Sequence, residues 1–242
     1  MSFRKAVFNW SGGKDSALAL HKTIEAGDPS VSCLLTTVNE IFGRVSMHGV
    51  RTELLERQAE QIGIPLVQVK LPEMPDMPTY EKLMLERLLK LTNDDIGTAV
   101  FGDIFLDDLR KYREDKLSTI GMNCLFPIWK ISTRSLIEEF MDLGFKAITV
   151  CVDEKHLDRS FVGRAIDRSF IDDLPSDVDP CGENGEYHSF VYDGPIFKEP
   201  VLFKKGDIVY RKYSRSQSES SGDANVADPF DTGFWYCDLL PV

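Results

Sequence analysis

The sequence predicts an α/β fold, a doubly wound parallel sheet of five strands followed by a smaller α+β C-terminal domain. Three observations carry this expectation. Residues 1–152 alternate apolar, β-branched runs with amphipathic helical segments, the pattern of a parallel sheet with helices on both faces. The turn after the first run, Ser11-Gly12-Gly13-Lys14-Asp15-Ser16, leads straight from strand into helix. From residue 153 the alternation gives way to short period-two runs separated by turn residues. The expected domains are therefore 1–152 and 153–242.

The elements follow from their patterns. Lys5 to Asn9 is the first strand. The helix from Asp15 to Glu25 turns Ala17, Leu18, Leu20 and Ile24 inward and stops at Gly27. Val31 to Val38 is a near-continuous apolar run, suited to a parallel strand covered on both faces. Thr52 to Ile62 is helical, with Leu54, Leu55, Ala59 and Ile62 on one face and Gly63 after it. Leu66 to Val69 is a strand, residues 72–78 a Pro- and Met-rich connection, and Tyr80 to Leu91 an amphipathic helix. Thr98 to Phe101 is a strand running into Gly102-Asp103. Asp107 to Ile120 is a charged helix with a solvated outer face. Cys124 to Phe126 is a strand, Thr133 to Leu143 a helix, and Ala147 to Val152 a further strand. Beyond it, Ser189 to Tyr192, Val201 to Lys204 and Ile208 to Tyr213 read as antiparallel strands, the last two turning around Gly206-Asp207. Residues 214–225 are Ser-rich and read as a mobile loop, and Phe234 to Leu240 is a final strand.

The 242 residues are 43% hydrophobic and 28% charged, an ordinary globular composition. No apolar run reaches the ~18 residues of a membrane span. The first residues enter a strand directly, so no signal peptide is expected and the location expected is cytoplasmic. Cys33, Cys124, Cys151, Cys181 and Cys237 form no Cys-x-x-Cys pair and read as buried free thiols. A net charge of −11 argues against a large nucleic-acid footprint.

The turn at 11–16 carries the first chemistry. Two glycines let backbone approach a ligand closely, and the helix behind them directs unpaired N–H groups at the same point. Ser11 and Ser16 add hydroxyls, and Lys14, expected at a solvent-facing helix start, adds a cation. Together they form a phosphate cradle. It is not the common ATPase loop, because position 8 is Phe and position 15 is Asp. Ligands of such sheets bind beyond the C-terminal strand ends. That brings the end of the second strand, Thr37 to Asn39, and Gly102-Asp103 to the same cleft, with adenine expected against backbone at Thr37 and Asn39. Asp15 fits either a helix N-cap or a Mg²⁺ ligand, and Asp103 either a nucleotide-edge or a Mg²⁺ role.

The second chemistry lies in Asp179-Pro180-Cys181-Gly182-Glu183-Asn184-Gly185-Glu186-Tyr187-His188. Its glycines, proline and alternating carboxylates suit neither helix nor strand. It reads either as a surface loop or as a substrate loop in which Glu183 and Asn184 offer an acceptor and an amide. Cys181 near His188 reads as a packed thiol rather than a nucleophile. His48, before Gly49, is a candidate for phosphate or substrate. Trp10 and Trp129 read as packing residues at the cleft rim.

These segments resemble a known family. Ser11 to Ser16 resembles the SGGxDS pyrophosphate loop of the N-type ATP pyrophosphatases, of HUP/Rossmann-like fold, which split ATP into AMP and pyrophosphate. Met47-His48-Gly49-Val50-Arg51, Phe101-Gly102-Asp103-Ile104, Pro127-Ile128-Trp129 and Gly182 to His188 follow in the order seen in the diphthine–ammonia ligases. The resemblance covers residues 1 to about 205. Residues 105–112 and the tail Phe234-Trp235-Tyr236-Cys237 read more like bacterial relatives of that family.

What the resemblance implies is ATP-dependent amidation. A carboxylate is adenylated with loss of pyrophosphate, then ammonia displaces AMP, with ATP and Mg²⁺ as cofactors. Lys14, Asp15, Glu183 and Asn184 are the expected catalytic residues. Ser11, Gly12, Gly13, Ser16, Thr37, Asn39, Gly102 and Asp103 are expected to bind nucleotide, and His48, Glu186 and His188 the substrate. Asp15 and Asp103 are the expected metal ligands. The expected partners are a small-molecule or protein-borne carboxylate, free ammonia and, as a further candidate, a second copy of the chain. Neither membrane nor nucleic acid is expected. Two other readings share the glycine loop: tRNA thiolation or lysidine formation, which ordinarily brings a Cys pair or a basic extension, and a non-catalytic nucleotide sensor.

Overall fold

The computed structural model describes residues 4–45, 49–213 and 232–242. Five parallel strands form the first sheet, in the order β4 (Leu66–Leu71), β2 (Ser30–Asn39), β1 (Lys5–Asn9), β5 (Ile96–Val100) and β6 (Asn123–Leu125). A two-residue strand, β3 (Arg44–Val45), pairs antiparallel with the end of β2. The strand order reverses between β1 and β5, so the loops after these two strands flank the crevice where such sheets bind ligands.

Alternation along β1 shows the double winding. Ala6 and Phe8 face α1 (Lys14–Ala26), α2 (Thr52–Ile62) and α5 (Thr133–Asp142) through Leu18, Leu55 and Ile137. Val7 faces the opposite layer, α3 (Met77–Asn93) and α4 (Asp107–Ser118), through Leu88 and Leu117. The helix α3 begins earlier than its apolar pattern suggests. Asp76 caps it by accepting from the Thr79 N–H at 2.9 Å, and Pro78 falls in the first turn, where no N–H is required of it.

The second sheet is antiparallel, in the order β8 (Tyr187–Asp193), β7 (Lys146–Asp153), β10 (Thr232–Pro241) and β9 (Phe203–Tyr213). Two expectations are corrected here. Strand β7, expected as a further strand within residues 1–152, pairs antiparallel with β8 and β10, so the second sheet starts ahead of residue 153. The turn expected at Gly206-Asp207 is absent. Strand β9 runs through these residues because β10 pairs with it on both sides of them, from Thr232 opposite Tyr213 to Pro241 opposite Phe203, with a register shift between Cys237 and Leu239. Between β7 and β8 lie a 3-10 turn (Arg159–Phe161) and the short helix α6 (Arg168–Asp173), which sequence periodicity did not reveal. The Ser-rich stretch 214–225 lies outside the described residues. No described helix is long and apolar enough to cross a membrane.

One apolar core joins the two sheets. Ala6, Phe8 and Leu34 of the first belong to the same buried cluster as Val150, Tyr187 and Phe190 of the second. Phe170 of α6 is fully buried within it, edge-on to Phe161 at 5.7 Å and to Tyr187 at 5.4 Å. Phe170→Ala is expected to cost about 3–5 kcal/mol, the range for deleting a buried phenyl ring. Urea unfolding should show this as a lower midpoint at unchanged slope.

Candidate active site

The glycine turn sits at the switch point and is held from both sheets. Gly12 has φ +79°, and a Cβ there would lie 2.8 Å from Gln58 Oε1. Glycine alone suits this left-handed, crowded position. The Gly12 carbonyl accepts from the Val191 N–H of β8 at 2.9 Å and from Gln58 Nε2 at 3.1 Å. The Gly13 N–H donates to Ser11 Oγ at 3.3 Å, Ser11 Oγ donates to Ser16 Oγ at 3.0 Å, and Ser16 Oγ to the Gly13 carbonyl at 2.9 Å. Gly13 is the N-cap of α1 and brings no side chain to that role. Ser189 of β8 supplies one, accepting from the Lys14 N–H at 3.1 Å.

Lys14 departs from expectation. It is 4% exposed rather than solvent-facing. Its ammonium donates to Asp15 Oδ2 at 2.8 Å and to the Cys181 carbonyl, and lies 5.1 Å from the centre of the Tyr187 ring. Burial disfavours this charge, but the Asp15 carboxylate and the other groups around it hold the Lys14 pKa above the ordinary lysine value. The sequence places Lys14 at the mouth of the first sheet. The second domain then covers it.

Loop 179–188 does the covering. Asp179 accepts from the Cys181 N–H at 2.8 Å and from the Glu183 N–H at 3.2 Å. Its Oδ2 accepts from Thr133 Oγ1 at 2.7 Å, tying the loop to the start of α5. Glu183 reaches across to the segment after β5, where its Oε1 accepts from the Ile104 and Phe105 N–H groups at 3.3 and 3.2 Å. Burial pushes its pKa up, and these two N–H donors oppose the shift. The loop therefore bridges the glycine turn, through Lys14, and the β5 end, through Glu183.

Glu186, expected at the substrate, is buried and turned into its own loop. Its oxygens accept from the Asp179 N–H, the Asn184 N–H and Asn184 Nδ2 at 2.9–3.1 Å. Burial alone would raise its pKa, but these donors hold it below the usual carboxylate value. Its role in the structure is to set the loop's shape. Asn184 is exposed beside it. The Cys181 Sγ donates to the Thr133 carbonyl at 3.3 Å, and burial pushes its thiol pKa up. It is a packed thiol, and no described cysteine is in a disulfide. His188 has its pKa pushed down to about 4, by burial first and then by the Lys14 cation. It stays neutral near pH 7.

The β5 end approaches α1 closely. A Cβ on Gly102 would lie 3.1 Å from the Asp15 carbonyl carbon and oxygen and from Ser16 Cα. Asp103 forms an ion pair with Arg113, its Oδ2 2.8 Å from Nε. Burial pushes the Asp103 pKa up, Arg113 opposes this, and the Asp15 carboxylate adds to it. Arg113 itself stacks 4.3 Å over the Phe101 ring. On the other side of the cleft Thr37 lies opposite Val69 in the β2–β4 pair. Asn39 closes the turn after β2, its Oδ1 accepting from Ile41 N and Phe42 N and its Nδ2 donating to the Pro72 and Glu73 carbonyls. Its side chain is committed to the loops. His48 lies outside the described residues. The neighbouring Arg44 and Arg51 both bind Asp238 of β10, at 2.9 and 2.6 Å.

Sequence reasoning passed over Gln58, Ser189, Asp238 and Arg113. For Gln58 the signal was its place on the helix face carrying Leu54, Leu55 and Ala59. For Ser189 the signal was one small polar residue in an apolar strand.

A parallel sheet with a glycine turn at its switch point, covered by a loop from a second sheet, is an α/β architecture suited to a nucleotide. Comparison with known proteins narrows this. Residues 4–124 match the model of the diphthamide synthase N-terminal domain, and residues 132–216 that of the C-terminal domain. The chain belongs to the diphthamide synthase family. It is similar to proteins named diphthine–ammonia ligase. With the one from Schizosaccharomyces pombe it shares 26% identity over 82% of this chain, but over only 36% of that longer protein. With the one from Bos taurus it shares 24% over 82% of both. Among solved structures, a predicted subunit of tRNA methyltransferase from Methanocaldococcus jannaschii aligns at TM-score 0.41 and 18% identity, over 60% of this chain and 80% of that one.

Two outcomes test this geometry. Gly102→Ala must push apart backbone, which cannot rotate away, and is expected to cost about 1–3 kcal/mol, read by chemical unfolding. The second concerns pH. His188 titrates near 4 when folded and near 6.5 when unfolded, so the unfolded chain takes the proton first as pH falls. The stability that the neutral imidazole contributes is present above about pH 6.5 and is lost towards pH 4, up to about 3 kcal/mol. Urea titrations at pH 7.5 and 4.5 should show a smaller drop for His188→Gln than for the wild type; equal drops would refute the neutral, buried state.

Proposed function

We propose that the chain is an ATP-dependent ligase that adenylates a carboxylate and amidates it with ammonia. A carboxylate oxygen attacks the α-phosphorus of ATP, the bond to the β-phosphate breaks and pyrophosphate leaves. Ammonia then attacks the acyl carbon, the bond to AMP breaks, AMP leaves with that oxygen, and the nitrogen loses a proton. Support comes from family membership, from the names of the relatives, and above all from one observation. Loop 181–188 closes over the glycine turn through Lys14 and over the β5 end through Glu183. An acyl-adenylate is hydrolysed unless water is excluded, and a sheet edge alone leaves its strand ends open. The charge of −11 and the absence of a Cys pair favour this reading over tRNA thiolation.

In this reading the Gly12, Gly13, Ser11 and Ser16 groups cradle the β- and γ-phosphates, and adenine lies against backbone at Thr37 and Asn39. Lys14 exchanges the Cys181 carbonyl for phosphate oxygen and stabilises the charge that develops as pyrophosphate leaves. Glu183 and Asn184 orient ammonia and the acceptor carboxylate, and neutral His188 lines the same side. Among the described residues no group of three His, Cys, Asp or Glu surrounds one point. Asp15, ion-paired with Lys14, and Asp103, ion-paired with Arg113, are the carboxylates that would hold Mg²⁺, which takes one or two protein carboxylates and completes its shell with phosphate and water. Bound there, the ion neutralises phosphate charge.

Pyrophosphate release from ATP with ammonia and candidate acids tests the proposal. Glu183→Gln keeps an oxygen for the Ile104 and Phe105 N–H groups. It is expected to leave ATP affinity within about twofold but to slow product formation by about 100-fold, the scale of a lost acid–base or orienting group. Lys14→Met is expected to lower both ATP affinity and thermal stability, because the same ammonium holds the Cys181 carbonyl. Full product formation by Glu183→Gln would remove Glu183 from the chemistry.

A further inference from the structure

Gln58 lies on α2, far in sequence from the glycine turn, and its side chain is fully buried. Its Oε1 accepts from Trp10 Nε1 at 2.9 Å, while its Nε2 donates to the Gly12 carbonyl at 3.1 Å and the Val191 carbonyl at 2.5 Å. The indole N–H is a donor only, and the two carbonyls are acceptors only. One orientation of the amide satisfies all three, so Trp10 fixes which end of Gln58 meets the loop.

The consequence lies one peptide away. The peptide unit is planar and trans, so the Gly12 carbonyl and the Gly13 N–H point in opposite directions. Gln58 Nε2 and the Val191 N–H occupy the carbonyl side. The Gly13 N–H is thereby aimed the other way, where its acceptor is Ser11 Oγ at a long 3.3 Å. A phosphate oxygen is a stronger acceptor than a hydroxyl and displaces that contact easily.

We infer that Gln58 is a positioning residue of the nucleotide loop: it locks the Gly12–Gly13 peptide plane so that the Gly13 N–H faces the pyrophosphate portion of ATP. The inference rests on the reading of residues 11–16 as the phosphate site. Without the Nε2 donor the peptide is held by Val191 alone and can rotate, and the N–H is no longer presented.

The test compares ATP with adenosine, which lacks phosphates. Gln58→Met keeps length without a donor, and Gln58→Glu keeps shape but sets an acceptor oxygen against two carbonyls. Calorimetric titration of folded variants is expected to show ATP affinity reduced about tenfold or more, the scale of one hydrogen bond to a charged group, with adenosine affinity unchanged. A merely structural role would weaken both ligands together, and either that result or ATP affinity within about twofold of wild type overturns the inference. If the wild type itself binds ATP no more tightly than adenosine, the phosphate-site reading fails, and the inference with it. Should neither variant fold, wild-type protein labelled with ¹⁵N at glycine and at the Gln side-chain amide decides. ATP is expected to shift the Gly13 amide strongly while the Gln58 amide protons stay protected from exchange. An unmoved Gly13 amide, or Gln58 protons that exchange freely, overturns it.

Discussion

The arrangement depends on how a single carbonyl, that of Gly12, is satisfied. It is buried at the meeting of two sheets, and a buried carbonyl without a donor costs about 1–3 kcal/mol. Its donors come from α2, through Gln58, and from β8, through Val191. The glycine turn is therefore no local device of the first sheet. Its backbone direction, its left-handed residue and the approach of the second sheet are set together. Ser189 adds to this by accepting the first N–H of α1, which no residue of the turn itself accepts.

The same seam gathers charge. Lys14, Asp15, Asp103, Arg113 and Glu183 are buried or half-buried there, where charges act more strongly on one another than in water. Each carboxylate has an answering group: Lys14 for Asp15, Arg113 for Asp103, two backbone N–H groups for Glu183. Two glutamates three residues apart are tuned in opposite directions. Glu186 is saturated by donors of its own loop and held as a carboxylate, whereas burial favours proton retention on Glu183. That divergence follows from their partners: three donors of its own loop for Glu186, two backbone N–H groups of another segment for Glu183.

Much of the fold was legible because parallel α/β architecture writes itself locally. The apolar run Val31 to Val38, the Leu54, Leu55, Ala59 face and the glycines at 27 and 63 each mark an element without reference to the rest. The failures came where local pattern is silent about partners. Strand β7 has the same apolar run whether it closes a parallel sheet or opens an antiparallel one; pairing with β8 and β10 decided it. Gly206-Asp207 has turn composition, but β10 pairs with β9 on both sides of it, and the irregularity there is only a shift of register.

The sequence by itself determined the chemistry on offer: the glycine turn, its cation and hydroxyls, the carboxylates of loop 179–188, and their order along the chain. A motif is a local string, and those groups lie close enough in sequence to be read together. The tertiary structure alone decided which side chains face the cleft and which hold it in place. It buried Lys14 under Cys181, turned Glu186 away from the cleft, and brought Gln58, Ser189 and Arg113 to the site from other elements. The contacts of Lys14 with Cys181 and Ser189, and of Gln58 with Gly12, join residues dozens of positions apart. Hydrophobic periodicity reports that such a residue is inward-facing, but only the packed arrangement fixes which buried donor or acceptor it meets.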